Sequence, residues 1–119
     1  MAIEIASQRL ITLLTTRKAF LRLFVMSEPL PESEIESRLV NLQDWRHDED
    51  HLKKSFAFGS FRDAMAFIVR LSYEADQQDH HPEIFNCYNR VEIALNTHDA
   101  KGKVTEKDFS LAAAIDAMA

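Results

Sequence analysis

The sequence predicts an α+β fold: a four-stranded antiparallel sheet with helices packed on one face, in a single domain. Three observations predict it. Apolar residues alternate with polar ones in two segments, near Leu52–Phe58 and Val91–Thr97, the period of a half-buried strand. Between them, Phe61, Ala64, Met65, Ile68, Leu71 and Ala75 recur at spacings of three and four, the period of a buried helical face. The strands lie beside short hairpin-type connections, and 119 residues are enough for one domain and not for two.

The elements follow in order. Ser27–Pro31 holds two prolines and reads as a linker between an N-terminal extension, residues 1–25, and the domain proper, residues 26–119. Pro31 suits the first turn of a helix, and Ile35, Leu39 and Leu42 give Glu32–Leu42 an amphipathic face. Trp45 to Phe58 reads as a hairpin. Leu52, Phe56 and Phe58 share one parity, Lys53, Ser55 and Ala57 the other, and Asp48–Glu49–Asp50 form the turn. Ser60 followed by Asp63 is a capping-box-like start for a long helix, Phe61–Gln77. His81–Pro82 ends it, because a residue before proline is pushed out of the α region. Phe85–Tyr88 is a short partner strand for Arg90–Thr97, in which Val91, Ile93, Leu95 and Thr97 share a face. Gly102 marks a loop, Thr105 with Asp108 repeats the capping pattern, and Phe109–Met118 is the last helix.

Composition removes several function classes. The net charge of −5 argues against direct nucleic-acid binding, which needs a basic surface. Cys87 is the single cysteine, so neither an intrachain disulfide nor a cysteine-based zinc cage can form. The apolar stretch Leu10–Thr16 is followed by Arg17, Lys18 and Arg22, far short of the ~20 apolar residues of a membrane span. Residues 1–25 carry four basic side chains against Glu4, a net of +3 that leaves −8 for the rest. Three readings of this extension stand together: an organelle-targeting leader, an extra helix, or a start assigned too early with Met26 as the true one. The expected location is cytoplasmic, with no membrane contact.

Candidate chemistry gathers on histidines. His80 and His81 follow the long helix and His98 ends the best strand, with Asp76, Asp79, Asp99 and Asp108 nearby. Histidine titrates near neutrality, so such a cluster can supply an acid and a base, with carboxylates fixing tautomers. The same residues also read as solvated loop histidines, or as a three-histidine metal site with an open position. Asp108 alone is most simply a first-turn carboxylate at the positive end of a helix. His47 and His51 read as solvated.

The text is more specific than the chemistry. Asp79–His80–His81–Pro82–Glu83, then Phe85–Asn86, Tyr88–Asn89, Val91 and Asn96–Thr97–His98 resemble the pterin-4a-carbinolamine dehydratases. The family's spaced pattern is met by Asp76, His80, His81, Pro82, Tyr88, His98 and Asp108. A weaker resemblance runs from Pro31 through Trp45 and Phe56–Phe58 to the C-terminus. Ile84 stands where many members have Trp, and Asp76 and Asp99 where some have Glu.

The resemblance implies dehydration of 4a-hydroxytetrahydrobiopterin to quinonoid dihydrobiopterin and water, in recycling the cofactor of aromatic amino acid hydroxylases. It implies no metal and no other cofactor. His80, His81, His98 and Asp76 are the catalytic candidates. Asp79, His80, His81, Asn96, Thr97, His98 and Asp99 are implied to bind the pterin, with Pro82, Tyr88 and Asp108 in support. In this scheme His80 and His98 protonate the departing hydroxyl, His81 positions the ring and acts as base, and Asp76 orients a histidine. The resemblance further implies a homo-oligomer, dimer or tetramer, with a hydroxylase or a transcription factor as protein partners. The rival on the same fold is a non-enzymatic dimerisation or assembly factor; such proteins have lost catalytic residues that this chain retains.

Overall fold

The computed structural model describes Arg17 and residues 26–119. The expectations about the N-terminal extension fall outside the described residues. The elements are α1 (Glu32–Leu39), β1 (Arg46–Asp48), β2 (His51–Ala57), α2 (Phe61–Gln77), β3 (Glu83–Cys87), β4 (Arg90–Leu95), a 3₁₀ turn (His98–Ala100) and α3 (Glu106–Met118). The strands form one antiparallel sheet in the order β1-β2-β4-β3.

Register turns the alternation of the sequence into a core. Leu52 lies opposite Leu95 and Phe56 opposite Val91, so the apolar parities of β2 and β4 share one face. Leu52, Val91, Ile93 and Leu95 are at most 1% exposed. Ala64, Phe67, Leu71 and Ala75 from α2, and Phe109, Leu111, Ala112 and Ile115 from α3, close over them. Each large side chain so buried stabilises the fold by roughly 1.5–3 kcal/mol. Phe67 sits between Phe56 and Phe58, with ring centroids 5.1 and 4.9 Å away.

Polar contacts tie the hairpin to the last helix. The Trp45 indole N–H donates to the Asp116 carboxylate at 3.0–3.1 Å, and Lys54 Nζ reaches the same group at 2.9 Å. Arg38 joins α1 to α3 through Glu106 and lies over the Phe109 ring at 5.6 Å.

Several boundaries differ from the sequence expectation, each for a local reason. α1 stops at Leu39 rather than Leu42, because Asn41 and Leu42 donate to carbonyls three residues back and tighten the chain out of the helix. The first turn narrows to Glu49 and Asp50, at φ 50° and 59°, a two-residue hairpin loop whose twist matches the strands. β3 begins at Glu83, directly after Pro82, and ends at Cys87. β4 ends at Leu95, and Thr97 pairs only with Lys103. α3 begins at Glu106, three residues early, because Thr105 is its N-cap.

His47 and His51 are not solvated loop residues. They lie in β1 and β2 and are partly buried. His51 Nδ1 donates to the Glu49 carbonyl at 2.6 Å and its Nε2 accepts from Asn96 at 3.0 Å. His47 Nε2 is buried with no hydrogen-bond partner among the described residues.

Candidate active site

The end of α2 sets the first two histidines. Asp79 adopts φ 48°, the left-handed conformation that aspartate tolerates better than most residues. His80 N–H then reaches back to the Ala75 carbonyl and Asp79 N–H to that of Asp76, the pair of reversed bonds of a Schellman ending. The chain turns sharply, Pro82 prevents a return to helix, and His80 is directed inward to 8% exposure. His81 stays outside.

The third histidine comes from the other end of the sheet's central strand. After Thr97 the chain makes the 3₁₀ turn, closed by Lys101 and Gly102 at φ 58° and 73°. Gly102 N–H returns to the Thr97 carbonyl, and the Asn96 side chain donates to the Gly102 carbonyl at 3.2 Å. This turn carries exposed His98 and Asp99 up beside the end of α2.

The two turns enclose a cleft of about 340 Å³, lined by Asp79, His80, His81, Asn96, Thr97, His98, Asp99 and Lys107. That volume falls at the small end of ligand pockets. The seven residues expected to contact a ligand are thus brought to one place. Lys107 is the addition; its position next to Asp108 was the only signal the sequence carried for it.

Beneath the cleft lies a buried polar network. His80 Nε2 donates to Asp108 Oδ1 at 2.5 Å. Asp108 Oδ2 accepts from the Thr97 hydroxyl at 2.9 Å and from Thr105 N–H at 2.8 Å. The Thr97 and Thr105 hydroxyls are 2.6 Å apart. Asp108 and Thr105 are fully buried, and Thr97 is 2% exposed. The capping box at the start of α3 is present as the sequence suggests, but Asp108 does more than cap: its other oxygen holds His80, 28 residues away. A carboxylate on Nε2 fixes the proton there and leaves Nδ1 as the atom free to act.

His81 has a different support. Its Nε2 meets Asp76 Oδ1 at 2.9 Å, one turn back on α2, and both side chains are exposed. His98 makes no hydrogen bond through its ring to any described residue. The remaining expected residues lie apart from the lining. Pro82 sits between His81 and β3. Tyr88, 68% exposed, is at the β3–β4 turn, separated from Pro82 by the five residues of β3, about 17 Å of extended chain. No group of three or more metal-ligating side chains converges among the described residues.

Two other clefts lack this concentration of histidines. One of about 320 Å³ lies along the sheet, lined by Lys53, Ser55, Glu83, Phe85 and Glu92 among others. One of about 740 Å³ lies between Leu30, His47, Asp50 and Lys103. The histidine cleft is the better candidate because acids, bases and a buried orienting carboxylate meet there.

Comparison with known proteins places the chain in a family. The family model described as pterin 4 alpha carbinolamine dehydratase matches residues 28–118. A relative from Opitutus terrae, provisionally named pterin-4-alpha-carbinolamine dehydratase, is 49% identical over 83 residues, 70% of this chain and 86% of that one. One from Christiangramia forsetii with the same provisional name is 43% identical, over 76% of this chain and 93% of its own. Among solved structures, a transcriptional coactivator/pterin dehydratase from Brucella melitensis superposes with a TM-score of 0.74 at 37% identity, covering 77% of this chain and 99% of that one. A pterin dehydratase-like RuBisCO assembly factor of the alpha-carboxysome superposes with a TM-score of 0.56 at 29% identity, over 64% of this chain and 89% of its own. With the family model spanning every described element, this chain belongs to the pterin 4-alpha-carbinolamine dehydratase family.

Proposed function

We propose that the protein dehydrates 4a-hydroxytetrahydrobiopterin to quinonoid dihydrobiopterin and water, serving tetrahydropterin recycling for aromatic amino acid hydroxylases. The observation that carries this reading is the single cleft holding His80, His81 and His98, with His80 locked from behind by buried Asp108.

The reaction needs one proton delivered and one removed. The C–O bond at the carbinolamine carbon breaks with its electron pair leaving on oxygen, and an imidazolium proton turns that oxygen into water. The adjacent nitrogen lone pair forms the new C=N bond, and a ring nitrogen gives its proton to a base. Proton inventory closes within the site, and no electron is gained or lost. His80 and His98 serve as acids toward the hydroxyl, one from each side of the ring, His80 acting through Nδ1. His81 positions the pterin and takes the ring proton, held by Asp76. Asp79, Asn96 and Asp99 supply polar contacts around the ring, and Lys107 adds an ammonium group to the lining.

The reading extends to a cytoplasmic homo-oligomer. β3 is an edge strand, and its Phe85 is 53% exposed, a surface that a second copy of the chain would cover.

A second reading, a non-enzymatic assembly factor, has one observation in its favour, the likeness to the RuBisCO assembly factor. Rapid mixing of purified protein with 4a-hydroxytetrahydropterin separates the two. The dehydratase accelerates loss of the carbinolamine; an assembly factor with a normal fold leaves the spontaneous rate unchanged.

A further inference from the structure

We infer that Thr97 and Thr105 are positioning residues: their hydroxyls lock Asp108 and, through it, the tautomer of His80. The catalytic meaning of the lock rests on the dehydratase reading; the lock itself does not.

The proton inventory of the network has one solution. A carboxylate only accepts, so the Thr97 hydroxyl spends its single proton on Asp108 Oδ2 at 2.9 Å. Thr97 then has no proton left for Thr105, so the 2.6 Å contact is a bond from the Thr105 hydroxyl to Thr97 Oγ1. Thr105 Oγ1 in turn accepts from Lys107 N–H at 3.2 Å. Asp108 Oδ2 is occupied by two donors, Thr97 O–H and Thr105 N–H. Two donors from different directions hold the carboxylate at Oδ2, and Oδ1 is left facing His80 Nε2. The donor at Nε2 must therefore carry the proton, and Nδ1 of neutral His80 is bare.

This changes the role of Thr97. It lines the cleft, yet it is 2% exposed and its hydroxyl is spent below the floor. It contributes to the site by aiming a histidine rather than by binding the pterin through its side chain. Thr105, outside the cleft lining altogether, enters the machinery for the same reason.

The test is nitrogen-15 NMR of histidine-labelled protein about two units above the ordinary histidine titration near pH 6.5, with His80 assigned by the loss of its signals in His80→Gln. Wild type should show His80 protonated at Nε2 alone. Thr97→Val keeps the shape and removes the hydroxyl; it should give a mixture of both tautomers and a kcat about tenfold lower, with KM within about twofold. Thr97→Ser should restore both, which a purely structural role for the methyl group would not allow. A proton on Nδ1 in wild type overturns the inference, and so does Thr97→Val with one Nε2–H tautomer and wild-type kcat. If Thr97→Val fails to fold, the wild-type tautomer still decides, because a proton on Nδ1 overturns the lock. If wild type does not dehydrate the pterin, the proposed function falls while the spectra continue to judge the lock.

Discussion

Replacing Asp108 by Asn probes the site at its most constrained point. The side chain is fully buried and touches three donors: His80 Nε2, the Thr97 hydroxyl and Thr105 N–H. Asn has the same shape but only one oxygen. If that oxygen stays with Thr97 and Thr105, the amide NH₂ faces His80 Nε2, which must become an acceptor, so its proton moves to Nδ1. If the amide flips, NH₂ meets two donors instead. The first arrangement trades a hydrogen bond to a charged carboxylate for a neutral one, and the second leaves donors facing donors in a dry interior, at a cost of about 1–3 kcal/mol. For a domain of this size that lowers Tm by several degrees per kcal/mol. With an amide N–H donor against Nε2, His80 cannot hold the second proton that makes it an imidazolium, and the acid is disabled. In comparable histidine–aspartate pairs that exchange costs up to about 10⁴-fold in kcat, and loss of one general acid costs about 10²–10⁴-fold. Because His98 retains its own access to the cleft, the lower end of that range, about 10²-fold, is expected. Stopped-flow dehydration under saturating pterin measures kcat, and thermal unfolding by circular dichroism measures Tm. A folded Asp108→Asn protein with kcat within threefold of wild type would refute the reasoning.

Three further outcomes follow from the geometry. Asp76→Asn should reduce kcat by less than Asp108→Asn and barely move Tm, because the Asp76–His81 pair is exposed on both sides and such pairs contribute about 0–1 kcal/mol; kinetics and melting curves measured side by side check the contrast. Phe67→Ala removes a ring with no exposed surface from between Phe56 and Phe58 and should cost about 3–5 kcal/mol in urea unfolding. The hydrogen bond from Lys103 holds the Asp50 carboxyl below the usual range. A depressed carboxyl stabilises the fold above its unfolded value and loses that contribution as pH falls through the folded one. Lys103→Met should therefore melt below wild type at pH 7, with the difference vanishing in acid well below the ordinary aspartate value of about 3.9.

Local pattern made most of the fold legible. The parity of Leu52 and Phe56 against Val91, Ile93 and Leu95 placed two strands and their buried faces, and Phe61–Gln77 ran to its stated ends. Ser60 capped α2 by accepting from Asp63 N–H, as its spacing suggested. Boundaries set by backbone geometry were less visible. The early end of α1 reflects bonds three residues back, and the residues at positive φ in the first hairpin turn, Glu49 and Asp50, are not glycine.

The candidate site was legible as a set of residues and not as a set of contacts. Spacing listed the histidines and aspartates that line the cleft. It did not say that His80 pairs with Asp108 and His81 with Asp76, because the first pair joins the ends of two helices across 28 positions. Capping logic explained half of Asp108 and hid the other half. The partial burial of His47 and His51 was missed for the same reason: a histidine's surroundings are a tertiary property.

The most direct test of the central claim is stopped-flow dehydration of 4a-hydroxytetrahydropterin by wild type and by a His80→Ala, His98→Ala double variant. The account predicts strong acceleration by wild type and near-complete loss in a folded double variant. Acceleration that survives in the double variant would contradict the assignment of the acids, and its absence in well-folded wild type would contradict the dehydratase itself.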